Sequence, residues 1–154
     1  MGFTVTRVYQ REENMAHTDA LVSPHAALIY AMILVSASDR SMPDMELRRI
    51  GQIVQNWPVF RDYDPNQLTD TSRECAVLLQ TENGLDRVLG LIRTAVPLHL
   101  RETAYLLACD VAVVDGRVPF AESRILTRLR QALDIDHLVA AALERAISAR
   151  HARI

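Results

Sequence analysis

The chain has 154 residues, 49% of them hydrophobic and 23% charged, with a formal net charge of −2. That length and balance fit one globular domain with a core of its own, and the near-neutral charge provides no basic field to draw in nucleic acid or an anionic bilayer. Five glycines and six prolines exclude a long turn-rich β architecture, and Cys75 and Cys109, without CxxC spacing, read as buried free thiols in a reducing cytoplasm rather than a zinc site or a disulfide scaffold.

Residues Met1 to Thr18 are polar and lack periodicity, so 1–18 reads as a flexible N-terminal arm, or as an extension upstream of a start at Met15. Residues 19–154 then form a single helical domain. Ser23-Pro24 has the character of an N-cap followed by proline at the first helical position, opening a helix over about 24–38. The run from Ala26 to Ala37 is apolar nearly all round, which marks a buried helix. It reaches only half to two-thirds of the roughly 20 residues that span a bilayer, so no transmembrane segment is expected. No basic-then-apolar signal segment opens the chain, and the expected location is cytoplasmic.

Pro43 opens a second helix, whose Leu47, Ile50, Ile53, Val54 and Trp57 recur on one face until Pro58 stops it. Asp64-Pro65 starts a third, with Leu68, Cys75, Val77, Leu78 and Leu79 facing inward, and Asn83-Gly84 breaks it. A fourth covers about 85–95 and is limited by Pro97. The fifth runs over about 98–114, its inner side made by Leu100, Ala104, Leu107, Ala108, Val111 and Val114. A sixth follows Pro119 with Ile125, Leu126, Leu129 and Leu133, and after a break at Asp134 to Asp136 a seventh spans about 138–150. The fold class is all-α, with about seven helices and no strand.

Two stretches of this chain repeat one another. Asp115-Gly116-Arg117-Val118-Pro119-Phe120-Ala121-Glu122 matches, 76 positions earlier, Asp39-Arg40-Ser41-Met42-Pro43-Asp44-Met45-Glu46. The apolar frame recurs with it, pairing Val35 with Val111, Ile50 with Leu126 and Ile53 with Leu129. This is a duplicated helix–loop–helix unit. Each loop resembles the second half of an EF-hand, but Val111 and Val113, and Val35 and Ala37, stand where the first acidic ligands would be, so neither loop can be one.

Together the loops supply four carboxylates, Asp39, Glu46, Asp115 and Glu122, all hard oxygen donors suited to a divalent cation of unknown identity. Asp44 adds an acidic group to the first loop, and Asp110, inside an apolar helix, stands where it could orient the ligands. A second reading fits the same residues. Glu46 and Glu122 fall in the first turn of a helix, where free N–H groups and the dipole favour a carboxylate, and Asp115-Gly116 is an ordinary helix-ending turn.

The stretch Leu106-Ala108-Cys109-Asp110-Val111-Ala112-Val113-Val114-Asp115-Gly116-Arg117-Val118 leading to Glu122, with the fainter copy over Ala31 to Val54, resembles the TerB-like domain of tellurite-resistance proteins. The resemblance covers most of residues 20–150. It implies an all-helical bundle with internal pseudo-twofold symmetry and a cluster of acidic residues that binds metal, here Asp39, Glu46, Asp115 and Glu122. It also implies a role in the response to tellurite or metal stress, with a protein partner that in related systems is membrane-associated. The first copy departs from the pattern at Arg40, where the motif has glycine, and a cation there opposes metal binding.

Other chemistry finds little support. The histidines His17, His25, His99, His137 and His151 form no i, i+4 pair and read mostly as surface positions. There is no glycine-rich phosphate loop and no nucleophile elbow. Arg48, Arg49, Arg124, Arg128 and Arg130 read as solvated faces, with one of each set able to pair with the acidic loops, and Trp57, Phe60 and Tyr63 as packing at the exit of the second helix. The expected protein is therefore not an enzyme but a module that binds a cation or a protein partner through its acidic loops. An interaction scaffold of co-chaperone type, without metal, is the alternative. Metal-assisted hydrolysis ranks last, because no His or Lys base lies near the carboxylates in sequence.

Overall fold

Helix α1 (Pro24–Ser36) is the element on which the others pack. Its residues Ala27 to Leu34 are all buried, which follows from an apolar sequence with no polar face to turn outward. Fully burying side chains such as Leu28, Ile29 and Ile33 contributes about 1.5–3 kcal/mol each. The computed structural model describes residues 22–36, 44–113 and 123–154, and no side chain of residues 44–46. The arm at 1–18 and the end of the first helix beyond Ser36 lie outside the described residues.

Around α1 stand α2 (Asp44–Asn56), α3 (Leu68–Leu79), α4 (Gly84–Ala95), α5 (Arg101–Ala112) and α6 (Arg124–Ala132), while α7 (His137–Arg150) packs on the far side of α5. Three short 3₁₀ turns, Pro58–Phe60, Pro65–Gln67 and Leu98–Leu100, join them. The protein is thus an all-α bundle of seven helices with no strand among the described residues. No helix among those residues is long and apolar enough to cross a membrane.

The caps at Ser23 and Asp64 are those the sequence indicates. The sixth helix, expected to follow Pro119 with Glu122 in its first turn, is instead capped by Ser123 and begins at Arg124, and the seventh is capped by Asp136. Ser23 Oγ accepts from the Ala26 amide at 3.1 Å, Asp64 Oδ1 from Asn66 at 3.0 Å, Ser123 Oγ from Leu126 at 3.2 Å and Asp136 Oδ1 from Leu138 at 2.8 Å. Asn83 turns the chain with a left-handed φ of 55° and lets Gly84 begin α4. Residues that match across the 76-position offset fall on corresponding helices: Ile50 and Ile53 of α2 and Leu126 and Leu129 of α6 are all buried.

Some expectations are corrected. Val77 points outward, 58% exposed, because α3 buries the stripe Leu68, Thr71, Ser72 and Cys75, and Val77 lies two residues past it, about 200° round the helix. Of the polar members of that stripe, Thr71 is paired, its Oγ1 lying 3.0 Å from the Tyr63 hydroxyl, while Ser72 Oγ is buried with no hydrogen-bond partner among the described residues. The third and fifth helices start later than proline placement suggests, since 65–67 and 98–100 are 3₁₀ turns. Helix α5 ends at Ala112, with Val113 already extended, so the expected end at Val114 is too late. His25 is not a surface residue: its Nε2 donates to the Val59 carbonyl at 2.9 Å, and its ring packs 5.9 Å from Phe60 and 5.5 Å from Tyr63.

Candidate functional site

The polar centre of the described residues lies where α2, α5 and the end of α7 meet. Asp110, 5% exposed on α5, is its buried charge. Its Oδ1 is 2.5 Å from His151 Nε2, at the C-cap of α7, and 3.8 Å from an Arg49 guanidinium nitrogen. Arg49 itself donates to two backbone oxygens, Nη1 to Val113 at 2.7 Å and Nη2 to Asp110 at 2.6 Å. These carbonyls belong to the last turn of α5 and the residue after it, groups that a helix end leaves without intrahelical partners. Arg49 is therefore fixed as a cap on α5 by charge-assisted hydrogen bonds.

A second polar contact fastens α7 to α5. The Tyr105 hydroxyl, on a side chain 1% exposed, donates to Glu144 Oε1 at 2.6 Å. Burial first, and then the Glu144 carboxylate, push the Tyr105 phenol well above its ordinary range, so it stays a neutral donor. Glu144 and His151 lie two turns apart on one face, which sets how α7 lies along α5.

Around the Asp110–His151 pair opens a cleft of about 600 Å³ lined by Arg48, Arg49, Gln52, Ile53, Asn56, Trp57, Asp110, Arg150 and His151. Arg48 and Arg150 are exposed and have no acidic partner among the described residues. Sequence reading missed this assembly. Arg49 reads in the sequence as a solvated face or a partner of the acidic loops and His151 as a surface histidine, whereas their side chains are 31% and 27% exposed and both meet Asp110. Asp110, an acid inside an apolar helix, was the visible signal.

The residues predicted to bind a cation fall differently. Asp39, Asp115 and Glu122 lie outside the described residues, and so do the side chains of Asp44 and Glu46, whose backbone begins α2. Asp110 is the one member described in full, directed to His151 and Arg49. Among the described residues no group of three or more His, Cys, Asp or Glu side chains is placed to hold a metal. The two thiols are buried, and burial pushes both Cys75 and Cys109 up to about 12.

These features define a small all-helical domain built on one buried helix, with a polar junction where α2, α5 and the end of α7 meet. Residues 25–145 match the family described as Tellurite resistance protein TerB, and the chain belongs to that family. No curated protein and no solved structure matches it.

Proposed function

We propose that this TerB-family domain is a non-enzymatic module of the tellurite or metal-stress response. In this reading it binds a divalent cation in the cytoplasm through Asp39, Glu46, Asp115 and Glu122, with Asp44 and Asp110 beside them, and presents the bound state to a protein partner. The observation that carries the reading is the contact of Arg49 with Val113. Arg49 lies five residues after Asp44, at the start of the helix that follows the first acidic loop. Val113 stands two residues before Asp115 in the sequence. One side chain thus joins the helix that follows the first acidic stretch to the end of the helix before the second, and a shared carboxylate set needs that proximity. Carboxylate oxygens favour a hard cation such as Ca²⁺, Mg²⁺ or Mn²⁺ over a soft one.

The test is thermal unfolding of chelator-treated protein with and without Ca²⁺, Mg²⁺, Mn²⁺ and Zn²⁺. A cation at 100 times its dissociation constant adds roughly 2.7 kcal/mol, and the shift is expected in wild type and not in Asp115→Asn/Glu122→Gln. A midpoint that no cation moves overturns the reading.

That second result would favour an interaction scaffold whose carboxylates face a basic partner. Arg40 in the first loop and Arg49 at the junction support it, because both cations oppose a metal. Metal-assisted hydrolysis ranks third. A histidine does approach an acidic residue, but His151 Nε2 is engaged by Asp110.

A further inference from the structure

The cleft between α2 and the end of α7 carries an excess of positive charge with a definite chemistry. Three guanidiniums, those of Arg48, Arg49 and Arg150, line it together with the amides of Gln52 and Asn56 and the half-buried Trp57. The one carboxylate in the lining, Asp110, is already met by His151 at 2.5 Å and faced by Arg49 at 3.8 Å, so it does not answer Arg48 or Arg150. Among the described residues no other acidic side chain lines the cleft. Arg49 is held by two backbone carbonyls, which removes much of the entropy cost of placing its planar fork. The volume of about 600 Å³ lies in the range of small-molecule sites.

We propose that this cleft binds a phosphoryl group, held by Arg48 and Arg150 against the fixed Arg49. Guanidinium forks match the geometry of phosphate oxygens, and exposed arginines that meet no acid among the described residues are available to pair with an incoming anion. The carbonyl end of α7 opposes an anion nearby, an effect confined to one turn, and three guanidiniums outweigh it. Trp57 at the cleft wall offers a flat apolar surface for an organic body attached to the phosphate. The inference goes beyond the cation reading and stands apart from it, since none of the four loop carboxylates takes part.

The probe is inorganic phosphate, added to the full chain after passage over a chelating resin, with sodium chloride at matched ionic strength as reference. Phosphate binding is followed by ³¹P line broadening, and competition by phenyl phosphate is followed in the same titration. Saturable binding is expected in wild type and weakens about tenfold or more in Arg48→Gln/Arg150→Gln, whose replaced side chains are exposed and whose thermal midpoint is checked against wild type. The control Arg124→Gln, an exposed arginine outside the cleft, retains wild-type affinity. Phenyl phosphate binding more tightly than inorganic phosphate, with the advantage lost in Trp57→Leu, identifies an organic phosphate as occupant; equal affinities identify the free ion. Broadening that does not saturate, or that Arg124→Gln reduces as much as Arg48→Gln/Arg150→Gln does, overturns the proposal.

Discussion

His151 Nε2 lies 2.5 Å from Asp110 Oδ1, although the two residues are 41 positions apart in the chain. The contact joins the end of the last helix to the last turn of α5 at a carboxylate that is only 5% exposed. Removing the imidazole leaves that carboxylate with Arg49 alone, 3.8 Å away. His151→Ala is therefore expected to destabilise the fold by about 1–3 kcal/mol, the cost of stripping a partner from a buried polar group. Asp110→Asn should cost a similar amount. The double variant should cost less than the sum, with a coupling of about 0.5–3 kcal/mol. Urea unfolding midpoints of the four proteins check this, and additive losses would show that the pair contributes nothing jointly.

Gly84 and Gly90 sit six residues apart on α4 and should respond oppositely to alanine. A Cβ at Gly84 would lie 2.4 Å from the Leu78 carbonyl oxygen and 2.6 Å from that of Leu79. Both are backbone atoms at the end of α3 and cannot swing aside, so Gly84→Ala should cost about 1–3 kcal/mol. Gly90 is exposed, and a Cβ there meets nothing within 4 Å. Gly90→Ala should add about 0.5–1 kcal/mol by lowering the entropy of the unfolded chain. Thermal midpoints moving in opposite directions are the expected result.

The helices were legible because this sequence punctuates them strongly. Ser23-Pro24, Pro58, Asp64-Pro65, Asn83-Gly84 and Pro97 each act within a few residues, through fixed φ, a missing donor or a tolerated left-handed turn. Whether Pro65 begins an α-helix or a 3₁₀ turn is not decided so locally, and there the reading slipped by one turn. Val77 misled because hydrophobicity alone was counted, while helical phase put Thr71 and Ser72 inside instead. Of the polar junction, only Asp110 was visible, as an acid in an apolar helix. Arg49 and His151 reach it from 61 and 41 positions away, and no periodicity encodes how α2, α5 and α7 cross.

Burial makes a direct statement about thiol chemistry. Both thiols are buried, and desolvation of the thiolate pushes each up to about 12. At pH 8 the folded protein should react with a disulfide reagent roughly three orders of magnitude more slowly than the unfolded chain, whose thiols titrate near the usual value. Release of the chromophore from native protein, compared with protein in denaturant, measures this. Fast labelling of the native state would mean that Cys75 or Cys109 is exposed by local opening.

Asp134 gives the fold a pH dependence whose sign can be worked out. It occupies the turn between α6 and α7 with a left-handed φ of 52°. Its Oδ2 lies 2.8 Å from an Arg93 nitrogen and 3.4 Å from Arg101 Nη1. The hydrogen bond from Arg93 first, opposed by desolvation and supported by the charges of Arg93 and Arg101, holds its carboxyl below the usual aspartate value. A carboxyl lowered in the folded state contributes stability that is fully present above the unfolded value, about 4, and is lost as pH falls through the folded value. Asp134→Asn keeps a residue that tolerates the left-handed turn and removes only the charge. The wild type should therefore be the more stable protein near pH 6, and its advantage over Asp134→Asn should shrink steadily below pH 4. Because the carboxylate is exposed, the same advantage should shrink in high salt. Thermal midpoints of the two proteins between pH 2 and pH 6 (at low and high ionic strength) make the comparison, and a difference independent of pH would assign the effect of Asp134 to the turn rather than to its charge.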